Sequence, residues 1–342
     1  MTNRCKHPKD FWENNKKYII NKYQSGISAN QIGKEFGCYG STIINHLKEW
    51  NVSIRNSSET RYNNVYTCNI HFFDMIDTEE KAYWLGYIFA DGHISTKNHL
   101  MFCCNIEDID ILYKLKSSLN SNHPIYYNKD NNPCITICNK YICDKLINIG
   151  FTHNKSYIVD FNKIKNNIPD NLLHHFIRGM FDGDGSIKYY NYDYVKGYQY
   201  HFGYTGLLDV CKFIAEYLHI NTKIIHECNT TYTCRITNAP LIKYIYSIIY
   251  KDVTIYCDRK YNTYNKILKL IKQENKDKVR GVSWLKKSNQ WIAQCHINKK
   301  NITIGYFDNK YDAEYARLKY EYDNFGVNAP QWYYFKEYRI GE

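Results

Sequence analysis

No apolar run in this chain of 342 residues approaches the length of a membrane span. No secretory leader opens it, so an intracellular protein that is not secreted is expected. No Cys-x-x-Cys pair occurs among the 13 cysteines. Cys134, Cys138 and Cys143 lie close together, but no matching His or Cys pair follows, so zinc is not expected. The thiols read as reduced and mostly buried. Acidic residues are the minority, 34 against 45 basic ones, for a net charge of +11. An excess of that size fits a polyanionic partner. The 35 tyrosines accompany abundant Asn, Lys and Ile, a bias that an A/T-rich coding sequence produces, so they are not read singly as stacking platforms. The length allows two or three domains.

Two short segments share one pattern. The first is Trp84-Leu85-Gly86-Tyr87-Ile88-Phe89-Ala90-Asp91-Gly92, and the second is Ile177-Arg178-Gly179-Met180-Phe181-Asp182-Gly183-Asp184-Gly185. Each reads as an apolar helix with small residues at i and i+4: Gly86 and Ala90, then Gly179 and Gly183. Small residues at that spacing leave a flat stripe on which two backbones can approach closely. Each helix ends at an Asp followed by Gly, a residue suited to the left-handed position just past a helix end. Packing the stripes together would bring Asp91 and Asp184 side by side, where both helix dipoles are negative. Two carboxylates there repel each other and the dipoles, so the place invites divalent cations. The plainer reading is two glycine-packed helices ending in ordinary aspartates.

The pair resembles the motif of the LAGLIDADG homing endonucleases, in the single-chain form with two copies. The lead-in Phe73-Asp74-Met75-Ile76-Asp77-Thr78-Glu79-Glu80-Lys81-Ala82-Tyr83 and the stretch Leu173-His174-His175-Phe176 before the second copy extend the likeness, which covers residues 66–271. The residues around the motifs read in a matching order. A hairpin over 93–103 turns on Lys97-Asn98, a helix runs over 110–119, strands end at Cys138, and a helix fills 141–149. The order repeats with strands over 186–204, a helix over 208–218, strands to Ile236 and a helix over 239–250. The resemblance implies an α+β fold. Its core would be a pseudo-twofold αββαββα arrangement with halves 66–165 and 166–271, whose two antiparallel sheets form a saddle over the DNA major groove. A single chain then carries both halves, and a monomer is expected.

That resemblance also implies roles. Asp91 and Asp184 would be metal ligands, and the backbone carbonyls of Ala90 and Gly183 would add to the set. Carboxylates with water suit Mg2+. The first half closes on Phe151-Thr152-His153-Asn154-Lys155-Ser156 and the second on Tyr256-Cys257-Asp258-Arg259-Lys260-Tyr261. Family members carry a basic residue here, which makes Lys155 and Lys260 the candidate catalytic cations. His93, Ser95, Lys97 and Lys188 are candidate DNA contacts on the saddle. Asp182 has Phe89 as its counterpart, so it is not expected to serve a metal.

Residues 1–58 carry helix signals. Ile19, Ile20 and Tyr23 form a stripe that stops at Ser25-Gly26, and Ser28 with Gln31 makes a capping box. A third helix near 41–50 would turn Ile44 and Leu47 inward, and Gly33 and Gly37 are small where helices would cross. This resembles a resolvase-like helix-turn-helix, in which the second helix of the pair enters the major groove. Its outward Thr42, Asn45 and His46, with Arg55 beyond, are candidate DNA contacts; a protein-interaction module is the alternative. After a polar linker over 271–278, residues 278–332 read as three strands and a helix near 311–325. Gly281-Val282, Trp291-Ile292-Ala293 and Gly305-Tyr306-Phe307-Asp308 resemble the APETALA2-type DNA-binding domain. Between Asp277 and Asp308 no acid occurs but six basic residues do. Arg280, Trp284, Lys286, Lys287, Trp291 and His296 are the candidate contacts there.

The expected function is site-specific, metal-dependent cleavage of double-stranded DNA by a free-standing enzyme. The chain starts at Met and has no obvious splicing nucleophile at either end, which disfavours an intein. The alternative is a DNA-binding regulator or RNA-splicing maturase that kept the fold and lost cleavage.

Overall fold

The computed structural model describes residues 7–54, 66–153, 160–191, 197–220, 224–274, 276, 278–297 and 300–341. Lys155 and Arg55, two of the expected site residues, lie outside them.

Three helices open the chain: α1 (Lys9–Gln24), α2 (Ala29–Glu35) and α3 (Gly40–Glu49). Both halves of the Ser28/Gln31 capping box form. Gly37 takes a left-handed φ of 64° in the turn that follows α2, a conformation costly for other residues. Trp12, Ile19, Tyr23, Ile32, Ile43 and Leu47 share one small core. Ile43 accompanies Leu47 inward, because four residues bring a helical side chain back to the same face, and Ile44 packs half-buried against the same core.

The largest core is built round α4 (Glu79–Asp91) and α8 (Leu173–Asp184). In the first half, β1 (His93–Ile94), β2 (His99–Cys103), α5 (Ile109–Ser118), β3 (Ile125–Tyr127), β4 (Pro133–Cys138), α6 (Lys140–Ile149) and α7 (Phe161–Asn166) follow α4 in sequence. In the second, β5 (Gly185–Asn191), β6 (Tyr198–Gly206), α9 (Leu208–Tyr217), β7 (Ile224–Cys228), β8 (Thr231–Ile236), α10 (Ala239–Ile249) and α11 (Asp258–Gln273) follow α8. The sheets have the same antiparallel topology, β1-β2-β4-β3 and β5-β6-β8-β7. Alternation explains their faces: Leu100, Phe102, Ile135 and Ile137 point into the core from one sheet, and Tyr200, Phe202, Tyr204 and Cys234 from the other. The helix α11 was not anticipated, although Tyr264, Ile267 and Ile271 have helical spacing and are buried.

The cysteine reading needs correction. Cys103 and Cys134 face each other across β2 and β4 with Cα atoms 4.1 Å apart and form a disulfide. Strand register put them together, and register is not visible in cysteine spacing. Cys228 is exposed, whereas Cys138, Cys143, Cys211, Cys234, Cys257 and Cys295 are buried free thiols.

At the C-terminal end, β9 (Val282–Leu285), β10 (Gln290–Ile297) and β11 (Lys300–Phe307) form an antiparallel sheet ordered β11-β10-β9, covered by α12 (Lys310–Phe325). Residues beyond 332 join its core: Tyr334, Phe335, Tyr338 and Ile340 pack with Val279 and Leu318. The expected linker is not free of contacts. The Glu274 carboxylate accepts from the Tyr198 N–H at 2.8 Å, and Lys276 donates to the Tyr198 carbonyl at 2.6 Å. The Trp332 ring also stands against Tyr244 of α10, centroids 4.8 Å apart. Among the described residues no helix is long and apolar enough to cross a membrane.

Candidate functional site

The centre of the molecule is the crossing of α4 and α8. A Cβ on Gly86 would collide with the carbonyl oxygen of Phe176, and one on Gly179 with that of Tyr83. Glycine is therefore required at both places by backbone contact. One turn later, Gly183 lies against Ala90 and the Asp91 carboxylate: a Cβ there would be 3.2 Å from Asp91 Oδ2. Close approach thus brings Asp91 to the residue before Asp184, at two helix C-termini. Asp91 is half-buried and Asp184 exposed; the glycines after them, Gly92 and Gly185, are extended at φ −71° and −79°, not left-handed as expected. Tyr204 reports both charges. Burial raises its pKa first, and Asp184 and Asp91 raise it further.

A cleft of about 300 Å³ opens beside Asp91, with Asn105, Asp108, Gly183, Arg259 and Lys260 among its lining residues. Arg259 makes a two-pronged pair with Asp108, Nε to Oδ1 and a terminal nitrogen to Oδ2, both 2.7 Å. Burial raises the Asp108 pKa, but the bonds from Arg259 outweigh it and leave the group lowered. Sequence reasoning missed this pair, because its members are separated by 151 residues.

Lys260 lines this cleft and bonds to the protein itself. Its buried ammonium donates to the carbonyls of Phe181 (2.9 Å), Asp182 (2.6 Å) and Gly183 (2.9 Å). All three protons are committed to the last turn of α8, whose carbonyls lack helical partners. Lys260 therefore clamps the end of α8. The Gly183 carbonyl, expected as a metal ligand, receives one of these bonds. Burial lowers the lysine pKa, against the attraction of Asp182, Cys257 and Asp91.

Asp182 faces inward. Its carboxylate accepts from the Cys257 N–H (2.7 Å), Tyr83 Oη (2.9 Å) and Tyr250 Oη (3.4 Å). Nearby, the fully buried Arg178 donates to Glu79 at 2.6 Å, to the carbonyls of Ile249 and Ile255 at 2.9 and 3.0 Å, and to His175 Nδ1 at 2.8 Å. Glu79 also accepts from the Thr254 N–H and hydroxyl, both 2.7 Å. An arginine within the apolar stretch Phe176–Phe181 was the available sequence signal for this network.

The other candidates spread over three surfaces. In α3, Asn45 is exposed and Thr42 half-buried. His46 is not a free outward side chain, because it stacks between Trp12 and Trp50 (4.4 and 5.5 Å) and pairs with Glu49 at 2.9 Å. On the first sheet His93 is exposed opposite Met101. Lys97 is exposed at the hairpin turn, and Ser95 Oγ accepts the His99 N–H within it at 3.2 Å. On the second, Lys188 pairs in register with His201. Arg235 of β8 is on the same face, since Gly203 opposes both Ser186 and Arg235. Arg235 was missed, although strand alternation could have exposed it. On the C-terminal sheet, Trp284 opposes Trp291 with rings 5.4 Å apart, and His296 bonds Asn301 at 2.7 Å. Arg280, Lys286 and Lys287 are exposed beside them. Among the described residues no group of three or more His, Cys, Asp or Glu is arranged to hold a metal.

No family model matches the chain, and no curated protein does. Among solved structures, it is similar to the I-LtrWI LAGLIDADG homing endonuclease bound to target DNA, at 14% identity and a TM-score of 0.42, over 61% of this chain and 94% of that one. It is similar to the LAGLIDADG meganuclease I-CpaMI bound to uncleaved DNA at 14% identity and 0.41, over 57% and 92%. The third is I-SmaMI bound to an uncleaved DNA target in the presence of calcium ions, at 14% identity and 0.40, over 57% and 92%.

Proposed function

We propose that this chain is a site-specific endonuclease that hydrolyses double-stranded DNA as a monomer, using a divalent cation, Mg2+ in the first instance. The observation that carries the reading is the approach of Asp91 to Gly183 and hence to Asp184, at the negative ends of two helices whose glycines let the backbones touch. Two carboxylates suit an oxygen-seeking ion that keeps several of its waters. When bound, such an ion supplies charge to the phosphate and a water of lowered pKa.

The chain's own residues do the rest. Asp91 and Asp184 would hold the cation. Lys260 fixes the turn from which Asp184 projects. Arg259, with a side chain 45% exposed and held in orientation by Asp108, supplies positive charge on the cleft wall. The two sheets, with His93 and Lys97 on one and Lys188, His201 and Arg235 on the other, provide the groove-facing surface. The helix-turn-helix-like module and the APETALA2-type module are further DNA readers. Tethered readers raise effective concentration at a long site without new contacts at the cut.

The test is to incubate the purified chain with a randomised duplex library in Mg2+ and to sequence the ends that appear. Ends at one recurrent sequence, absent with chelator and absent with Asp91→Asn, support the reading. Specific retention of one duplex without cutting identifies the cleavage-inactive DNA regulator. Retention of structured RNA and not of DNA identifies the maturase.

A further inference from the structure

A second cleft, of about 730 Å³, lies between α10 and the segment 333–337. That volume is in the range of small-molecule sites. The helix α10 buries Ile242, Ile245 and Ile249 in the core and leaves Lys243 and Ser247 exposed on the cleft wall. Tyr217, at the end of α9, lines another wall. The α9 helix covers the core face of the second sheet, where Cys211 Sγ donates to the Tyr232 carbonyl of β8. The cleft is therefore on the helical side of the second half, across the sheet from the exposed Lys188 and Arg235. Its walls combine unlike groups. Tyr217, Tyr244 and Tyr333 are half-buried and supply flat apolar surface. Lys243, Lys251 and Lys336 are exposed ammonium groups, and Asp170 and Glu337 are exposed carboxylates. His174 lines the cleft too, and its Nε2 is buried with no hydrogen-bond partner among the described residues. Burial, then Arg178, lowers its pKa, so near pH 7 it is a neutral ring with a hydrogen bond to share.

We propose that this cleft binds a nucleoside monophosphate, either free or as the 5′-phosphorylated end of a strand. A bare polyanion suits the lysines but is opposed by the two acids. A neutral aromatic suits the tyrosines but makes no use of the lysines. A nucleoside phosphate uses all of them: its base stacks on tyrosine, its phosphate meets the ammonium groups, and its sugar hydroxyls donate to the carboxylates. Bound there, it touches both α10 and the segment after Trp332, whose ring stands 4.8 Å from Tyr244 and 6.0 Å from Tyr333. The site does not depend on the endonuclease reading, because it shares no lining residue with the cleft at Asp91.

The experiment titrates the full chain calorimetrically with AMP, GMP, CMP and UMP in turn, and with adenosine, ribose 5-phosphate and inorganic phosphate. At least one monophosphate should bind one to one. It should bind about 10-fold or more tighter than ribose 5-phosphate, the scale of stacking one base. Replacing Lys251 and Lys336 together with alanine should weaken it by about 10-fold or more, the scale of losing charged hydrogen bonds. Ser247→Trp places a bulky ring at an exposed wall position and should block binding while the melting temperature holds. Lys129→Ala, exposed and outside the cleft, should change nothing. A 5′-phosphorylated tetranucleotide that binds as tightly as the monophosphate assigns the ligand to a strand end, and one that binds more weakly assigns it to the free nucleotide; both uphold the site. Failure of every monophosphate to bind overturns the proposal. So does inorganic phosphate or ribose 5-phosphate binding equally well, which marks an anion site only. Wild-type affinity in a folded Ser247→Trp variant puts the binding elsewhere and also overturns it.

Discussion

The Glu79 carboxylate lies 2.6 Å from the Arg178 guanidinium, which joins the first turn of α4 to the middle of α8 and so one half of the core to the other. Arg178 has no exposed surface, and Glu79 is 16% exposed on its side chain. Removing one partner of such a pair leaves a buried charge uncompensated. Glu79→Ala should cost about 3–5 kcal/mol, read as a lower denaturant midpoint. Glu80→Ala, at the exposed neighbouring position whose carboxylate accepts from the Ser118 hydroxyl, should cost about 1 kcal/mol or less. Equal costs would show that the pair does not couple the halves.

Asp91→Asn and Asp184→Asn should each lower cutting of at least one strand by about 10²–10³-fold or more, the scale of losing one preorganised charged group. Specific DNA affinity should remain, because the shape of each side chain is kept. Gel-shift and single-turnover assays on the same duplex measure the two effects. Wild-type cutting in either variant would remove that acid from the site.

Lys260→Met should lower stability by about 3–5 kcal/mol, since three carbonyls and the Asp182 charge lose their cation. Slower cutting should accompany the loss. A variant with unchanged melting but slowed cutting would instead return Lys260 to direct contact with phosphate.

Acid should weaken the fold between about pH 6.5 and 4. Burial, then Lys116, lowers the His123 pKa from 6.5 to about 4. Burial, then Arg178, lowers that of His175 to about 4. In the unfolded chain both bind a proton near 6.5, so the unfolded state is favoured first as pH falls. Their contribution is full above 6.5 and is lost progressively down to about 4. His123→Gln and His175→Gln should flatten the fall in melting temperature across that window, and an unchanged slope would assign it elsewhere.

Replacing Arg280, Lys286 and Lys287 together with alanine should weaken DNA binding almost evenly across sequences. It should also shallow the salt dependence, by about 0.9 in the log–log slope for each phosphate no longer neutralised. These side chains are exposed, so the fold should persist. A relaxed preference at one base pair would instead mark a base contact. Affinity and slope equal to wild type would leave this face without a role in binding.

How much could be read in advance depended on where the information resides. Gly86 and Gly179 were legible because close helix crossing has a local requirement, the absence of a Cβ, and that requirement is written at i and i+4. The antiparallel sheets were legible from alternation. Lys260 was not, because its block of sequence specifies a basic residue but not the helix end it reaches. The same holds for Cys103 and Cys134, whose meeting depends on the register of two strands. His46 has a polar composition but a stacked setting, which only the packing of Trp12 and Trp50 creates. Glu274 and Lys276 looked like solvated linker charges because composition carries no record of the Tyr198 backbone.

The ties made by Glu274, Lys276 and Trp332 have a consequence for length along a duplex. A loosely strung C-terminal sheet would tolerate any spacing between its own DNA contact and the cut. On the proposed reading, one held to β6 and α10 would make the chain a ruler with fixed phase. Inserting about half a helical turn between the two footprints, on the order of five base pairs for a 10–10.5 bp turn, would carry the second footprint to the far side of the double helix. Inserting a full turn would restore its facing but not its distance. Affinity should therefore oscillate with insert length as well as decline, and the amplitude of that oscillation measures how stiffly the joint at Tyr198 and Tyr244 transmits position.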